Sequence, residues 1–124
     1  MEKGLAYTSV AEVTAANTAI ALGSGDMNVF ATPALVALME NAAMNAVKSA
    51  LPEGSTTVGA MIQTSHIKPS AIDETVKATA VLQEVDGRKL TFSVSAVDSQ
   101  GAVGEGTHIR YVVDRERFLA KLKK

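Results

Sequence analysis

The sequence predicts an α+β fold: an antiparallel five-stranded sheet wrapped around one long central helix, closed by a short C-terminal helix. Three observations predict it. A long apolar helical stretch runs from Thr32 to Leu51, four later runs alternate apolar and polar residues with period two, and tight-turn dipeptides separate the last three of those runs.

In chain order, residues 5 to 22 are rich in Thr, Val and Ala and end at the breaker Gly23-Ser24-Gly25-Asp26, which predicts an N-terminal strand. The central helix begins at Thr32-Pro33, where Thr can cap and Pro tolerates the first helical position because its missing N–H has no partner there. Pro52 and Gly54 stop it. Small and apolar residues occupy most of its circumference, which predicts a helix covered on most sides. Thr57 to Ile67, Thr75 to Val85, Lys89 to Val97 and Val103 to Val113 are the four strand runs, with Val76/Ala78/Ala80/Leu82 and Leu90/Phe92/Val94/Ala96 in clean alternation. Asp86-Gly87 and Gln100-Gly101 make the last three a meander. Residues 114 to 124 open with an acid and end in bases, the order that a helix dipole favours.

The 124 residues predict a single domain, 1–124, and a formal net charge of −1 argues against a nucleic-acid or acidic-membrane binder. Three Phe, two Tyr and no Trp leave little to stack on bases. With no cysteine there are no disulfides and no thiolate chemistry, and two histidines with carboxylates at no ligand-like spacing make metal binding unexpected; no cofactor is called for. Met1-Glu2-Lys3-Gly4 lacks a basic region followed by an apolar run, and no stretch is apolar enough to span a membrane, so the expected location is cytoplasmic.

Glu40 is the residue that packing does not explain. Its helical neighbours Val36, Ala37, Ala43 and Met44 are apolar, while the helix's polar stripe lies on Asn41, Asn45 and Lys48. A carboxylate in apolar surroundings is poorly hydrated and therefore a stronger base or nucleophile.

The strings Val29-Phe30-Ala31-Thr32, Leu38-Met39-Glu40, Gly59, Thr64-Ser65-His66 and Gly104-Glu105-Gly106-Thr107-His108-Ile109-Arg110 resemble the fluoroacetyl-CoA thioesterase branch of the hot-dog superfamily of acyl-CoA thioesterases and dehydratases. The resemblance runs from Val29 to the C-terminal helix. It implies a catalytic set of Thr at the start of the central helix, Glu eight residues on and His twenty-six residues further, a spacing that Thr32, Glu40 and His66 meet. It also implies a homodimer with the site in the groove between subunits, an acyl-CoA substrate, and substrate contacts from Gly59, Arg110 and Phe30. The chain departs from that branch ahead of the Thr: aromatic lid residues are replaced by Gly23-Ser24-Gly25-Asp26-Met27-Asn28, which points to a different or broader acyl group.

The chemistry suits these residue types. Thioester hydrolysis needs a base or nucleophile, a proton carrier and donors for the oxyanion. Glu40 can serve as the first and His66 as the second, while the Thr32 hydroxyl can hydrogen-bond the carboxylate or the carbonyl. Each residue also has a plainer reading. Thr32 can be only a cap, Glu40 an ion-pair partner of a sheet Lys or Arg, His66 a structural histidine and Gly59 a bulge. Arg110 can pair with Glu105 or Asp114. The coenzyme A phosphates are expected on surface bases such as Lys68, Arg88, Lys89 or Arg110. Two other functions fit the same groove: an acyl-thioester hydratase or dehydratase using His66 and a carboxylate on carbon, and a non-catalytic acyl-CoA-binding module.

Overall fold

The computed structural model describes residues 1–123. Its elements in chain order are strand β1 (Ala6–Glu12), helix α1 (Ala19–Leu22), helix α2 (Thr32–Val47) continued by a 3₁₀ turn (Lys48–Ala50), strands β2 (Ser55–His66), β3 (Thr75–Asp86), β4 (Lys89–Asp98) and β5 (Gly101–Asp114), and helix α3 (Arg115–Ala120). The strands form one antiparallel sheet in the order β1-β3-β4-β5-β2. The last three strands are the expected meander, and β1 and β2 flank it. The α+β architecture implied by the hot-dog resemblance is the one observed.

Period two puts alternate side chains on one face of a strand, and that face packs on α2. Val76, Ala78, Ala80 and Leu82 of β3 and Leu90, Phe92, Val94 and Ala96 of β4 are buried against Leu35, Met39, Ala42, Ala43 and Val47 of the helix. Truncating Leu35 or Met39 to Ala would cost about 2 to 5 kcal/mol by the usual cavity cost. Between β3 and β4, Gly87 takes a φ of +61°, which a residue without Cβ adopts freely.

Two expectations need correction. The stretch 5–22 is not one strand. Asn17 closes a turn by accepting from the Thr14 N–H and donating to the Glu12 carbonyl, after which Thr18 caps α1 through its hydroxyl. Nor is α2 covered on most sides: Pro33, Ala37 and Asn41 are exposed, and Ala34, Val36, Leu38 and Met44 are only half-buried. A single sheet reaches one side of a helix, so this apolar surface needs a second layer to cover it.

Candidate active site

Two clusters of functional side chains stand along α2. The first lies at its start. Ala31, not Thr32, occupies the cap position, accepting the Leu35 N–H through its carbonyl, so the Thr32 hydroxyl is not used in capping. It meets His66, at the end of β2, with Oγ1 2.7 Å from Nδ1. The His66 Nε2 is buried and has no partner. Burial holds the imidazole pKa below its ordinary 6.5; the Lys68 backbone opposes that shift and the Lys68 charge reinforces it. In the tautomer whose Nδ1–H donates to the Thr32 hydroxyl, the free Nε2 is a proton acceptor. Ala19, Ser24, Val29, Phe30 and Pro69 line, with this pair, an open pocket of about 250 Å³. Phe30 is itself buried, and its N–H donates to the Ser70 carbonyl, which fixes the chain just ahead of Thr32.

The second cluster lies eight residues on, about 12 Å along the axis at 1.5 Å per residue. Arg110 Nη1 stands 3.4 Å from Glu40 Oε2, and the Glu40 side chain is still 40% exposed, within reach of a ligand. Arg110 is buried and rigidly held. Its Nε donates to Thr57 Oγ1 at 2.8 Å and its Nη2 to the Thr57 carbonyl at 3.0 Å. His108 completes the set. Its Nδ1 lies 2.7 Å from the Met61 carbonyl, which can only accept, so Nδ1 carries the proton and Nε2 accepts from Arg110 Nη1 at 3.2 Å. Burial lowers the His108 pKa, the Met61 carbonyl and Glu40 oppose that, and the Arg110 charge reinforces it. The arrangement thus fixes a guanidinium behind the carboxylate with two of its three nitrogens tied down on Thr57.

Gly59 belongs to this cluster. A Cβ built there would lie 2.5 Å from Glu40 Oε2, so the space left by the missing side chain is filled by the carboxylate itself. The strand also shifts register between Gly59 and Met61, so the bulge and the close approach occur together.

The structure therefore brings Thr32 to His66, and Glu40 to Gly59 and Arg110, but it does not bring the two groups together within one chain. Arg110 pairs with Glu40 and not with Glu105 or Asp114. Nor is it a surface base for phosphates, being buried against Thr57. Lys68 is also committed, to the buried Asp98, which further accepts from Ser70 and the Gln100 N–H. Thr57 and the Asp98 set were not singled out from sequence, because cross-strand register and loop packing bring them in. The period-two spacing of His108 and Arg110 was the available signal for their shared face. Among the described residues no group of His, Cys, Asp or Glu is placed to hold a metal, and no helix is long and apolar enough to cross a membrane.

Residues 13–116 match the family model of the fluoroacetyl-CoA-specific thioesterase. The chain is 40% identical over 95 residues to the fluoroacetyl-CoA thioesterase of Streptantibioticus cattleyicolor, a match covering 77% of this chain and 68% of that one. A solved structure of a fluoroacetyl-CoA thioesterase superposes with a TM-score of 0.93 at 34% identity, covering 98% of this chain and 95% of that one. A hot-dog-like protein from Thermanaerovibrio acidaminovorans, 24% identical, gives a TM-score of 0.89 over 98% of this chain and 90% of that one, and so shares the fold.

Proposed function

The chain belongs to the fluoroacetyl-CoA-specific thioesterase family, and we infer that it hydrolyses acyl-CoA thioesters with Thr32, Glu40 and His66 at the reacting centre. The observation that carries this reading is the pairing of Thr32 with His66 beside a cavity, at the spacing from Glu40 already evident in the sequence.

In this reading the acyl group enters the cavity beside Phe30 with its carbonyl near the Thr32 hydroxyl, which donates to the developing oxyanion. Glu40 faces the carbonyl carbon. Its Oε2 is held by Arg110, and its other oxygen is left to attack the carbon or to take a proton from an attacking water. Where Glu40 attacks the carbon, the C–S bond breaks to an acyl anhydride and a thiolate, and neutral His66 then takes through Nε2 a proton from the water that opens the anhydride and hands it to that thiolate. Where water attacks, Glu40 takes its proton and His66 relays it to the departing sulfur, and either route ends in a carboxylate and a free thiol. Direct attack by Glu40 passes through an acyl anhydride, and water that opens it at the Glu40 carbon leaves ¹⁸O in the Glu40 side chain, whereas attack of ¹⁸O-water on the thioester labels only the product acid.

Two copies of the chain form each site, because Glu40 and the Thr32–His66 pair of one chain are two helical turns apart. The uncovered face of α2 supports the same assembly. Acyl-CoA is an intracellular metabolite, so the substrate carries a cytoplasmic location with it.

Thiol release from short, branched, aromatic and long acyl-CoAs is the direct test. His66→Ala should lower turnover by about 10² to 10⁴, the usual loss for a general acid or base. A product that keeps its thioester while gaining or losing water would identify a hydratase or dehydratase, and binding without thiol release a carrier module.

A further inference from the structure

A coenzyme A substrate brings phosphate groups, and apart from Arg88 and Lys89, which stand uncommitted among the described residues at the β3–β4 turn, the candidates for holding them can be narrowed by what each base already does. Lys68 is paired with Asp98, and Arg110 is buried behind Glu40. Lys77 lines a cavity with Asp73, Glu74 and Asp98, a net negative surface. The cavity on the outer face of β2, β4 and β5 has Glu105 as its charged residue. The groove on α2 has no charged side chain, and the Thr32–His66 cavity has none besides the imidazole.

One cavity differs. At the far end of α2, about 390 Å³ are enclosed where the 3₁₀ turn, the start of β2 and the start of α3 converge. Lys48 and Arg115 line it with one carboxylate, Glu53, which leaves a net positive charge. Neither cation takes part in an ion pair among the described residues. The N–H of Arg115 donates to the Gly54 carbonyl at 2.9 Å, so that residue's backbone is fixed to the cavity wall. Met44, one turn beyond Glu40, and Thr57, the residue that holds Arg110, line the same cavity, so it shares a wall with the Glu40 cluster.

The length fits as well. Lys48 follows Glu40 by eight residues, about 12 Å along the helical path. A pantetheine arm has the backbone length of about four extended residues, roughly 14 Å. A thioester carbonyl at Glu40 therefore sets the first phosphates of the coenzyme near Lys48, with the apolar side chain of Met44 along the way.

We propose that Lys48 and Arg115 bind phosphate groups of the coenzyme A half of the substrate. The proposal rests on the acyl-CoA reading and adds to it a binding site separate from the reacting centre. Charge-assisted contacts to a phosphate are the stronger kind of hydrogen bond, and an unpaired cation makes them without first breaking an ion pair.

The test compares kcat/KM for one acyl group carried on coenzyme A, on 3′-dephospho-coenzyme A and on pantetheine, in the natural protein and in Lys48→Glu/Arg115→Glu. The ratio of the coenzyme A ester to the pantetheine ester should fall about tenfold or more in the variant, the size of one charge-assisted contact. Because it is a ratio, any partly unfolded fraction cancels. The dephospho ester then separates the diphosphate from the 3′-phosphate as the bound group. A ratio within about threefold of the natural protein's overturns the proposal. Titration with coenzyme A itself reads the site without turnover: weaker binding to the variant supports it, and unchanged binding overturns it. Absence of thiol release from every ester by the natural protein would instead overturn the parent reading, while the titration still decides the site.

Discussion

Glu40 shows how far a single residue can be read before its neighbours are known. From its helical surroundings alone, removing the charge should relieve a burial cost and stabilise the protein. Arg110 reverses the sign, because the guanidinium is more deeply buried than the carboxylate and loses its counter-charge. Glu40→Gln should abolish thiol release with little change in melting temperature, since the amide still accepts from Arg110. Glu40→Ala should abolish release and also lower stability by about 1 to 2 kcal/mol, as for an unpaired buried donor. Denaturant melts of both variants check this, and an Ala variant more stable than the natural protein would contradict the Arg110 role. At Gly59, an added methyl must push the Glu40 carboxylate aside while the fold is kept, because the displaced atom is the end of a flexible side chain. Gly59→Ala should therefore melt normally and lose about tenfold to a hundredfold in kcat, the cost of roughly an ångström of misplacement. His66 gives the pH dependence. The proposed mechanism uses its neutral form, and burial shifts its pKa below 6.5. Activity should be full above that value and fall only as pH drops through the lowered pKa, so the acid limb of kcat/KM has its midpoint below 6.5. A midpoint above 6.5 would show that another group titrates.

At the scale of elements, what repeats was legible and what happens once was not. The alternation in β3 and β4 and the Asp86-Gly87 turn were written in adjacent residues, so strands, hairpin and buried face followed. The two-turn separation of Thr32 from Glu40 could be counted, but the Arg110–Thr57 contact spans β2 and β5 and depends on a register that sequence alone does not state. The region from Thr14 to Leu22 failed for the opposite reason: its composition, four alanines among Thr14, Thr18 and Ile20, favours no single element, and the local hydrogen bonds of Asn17 and Thr18 decide its path. That region leads into the exposed segment 23–28, which lines the Thr32–His66 cavity only through Ser24. Ala19 and Ser24 are small, so this side of the cavity adds few close contacts to a single fluorine beyond those of Val29, Phe30 and Pro69. A small substituent in such a pocket is worth about 1 to 3 kcal/mol, or roughly 10- to 200-fold. Specificity constants measured side by side for acetyl-CoA and fluoroacetyl-CoA should differ by no more than that, with larger acyl groups accepted. A preference of many thousandfold for the fluorinated substrate would mean that side chains outside this segment close over the acyl group.

For the whole molecule, β2 lies at the edge of the sheet with one row of backbone groups unpaired, and it carries both Gly59 and His66. Natural proteins rarely leave so long an edge open, and the half-exposed apolar face of α2 beside it asks for the same cover. Two β2 edges paired antiparallel about a twofold axis between Ile62 and Gln63 would set Gly59 of one chain opposite His66 of the partner subunit. Glu40, held over Gly59, would then face the other chain's Thr32–His66 pair and close the gap that separates the two clusters within one chain. Sedimentation should accordingly find a dimer or larger assembly at micromolar concentration, and an active monomer would end this arrangement. Mixing decides how the site is shared. Glu40→Gln and His66→Ala should each have little activity as homodimers, but a mixed dimer built in this way would have one site with both residues intact and one with neither. Co-refolding equal amounts should restore about a quarter of natural activity, half the dimers being mixed and half of their sites complete. If each site is built within one chain, every site in the mixture lacks a residue, and the activity stays at the level of the single variants.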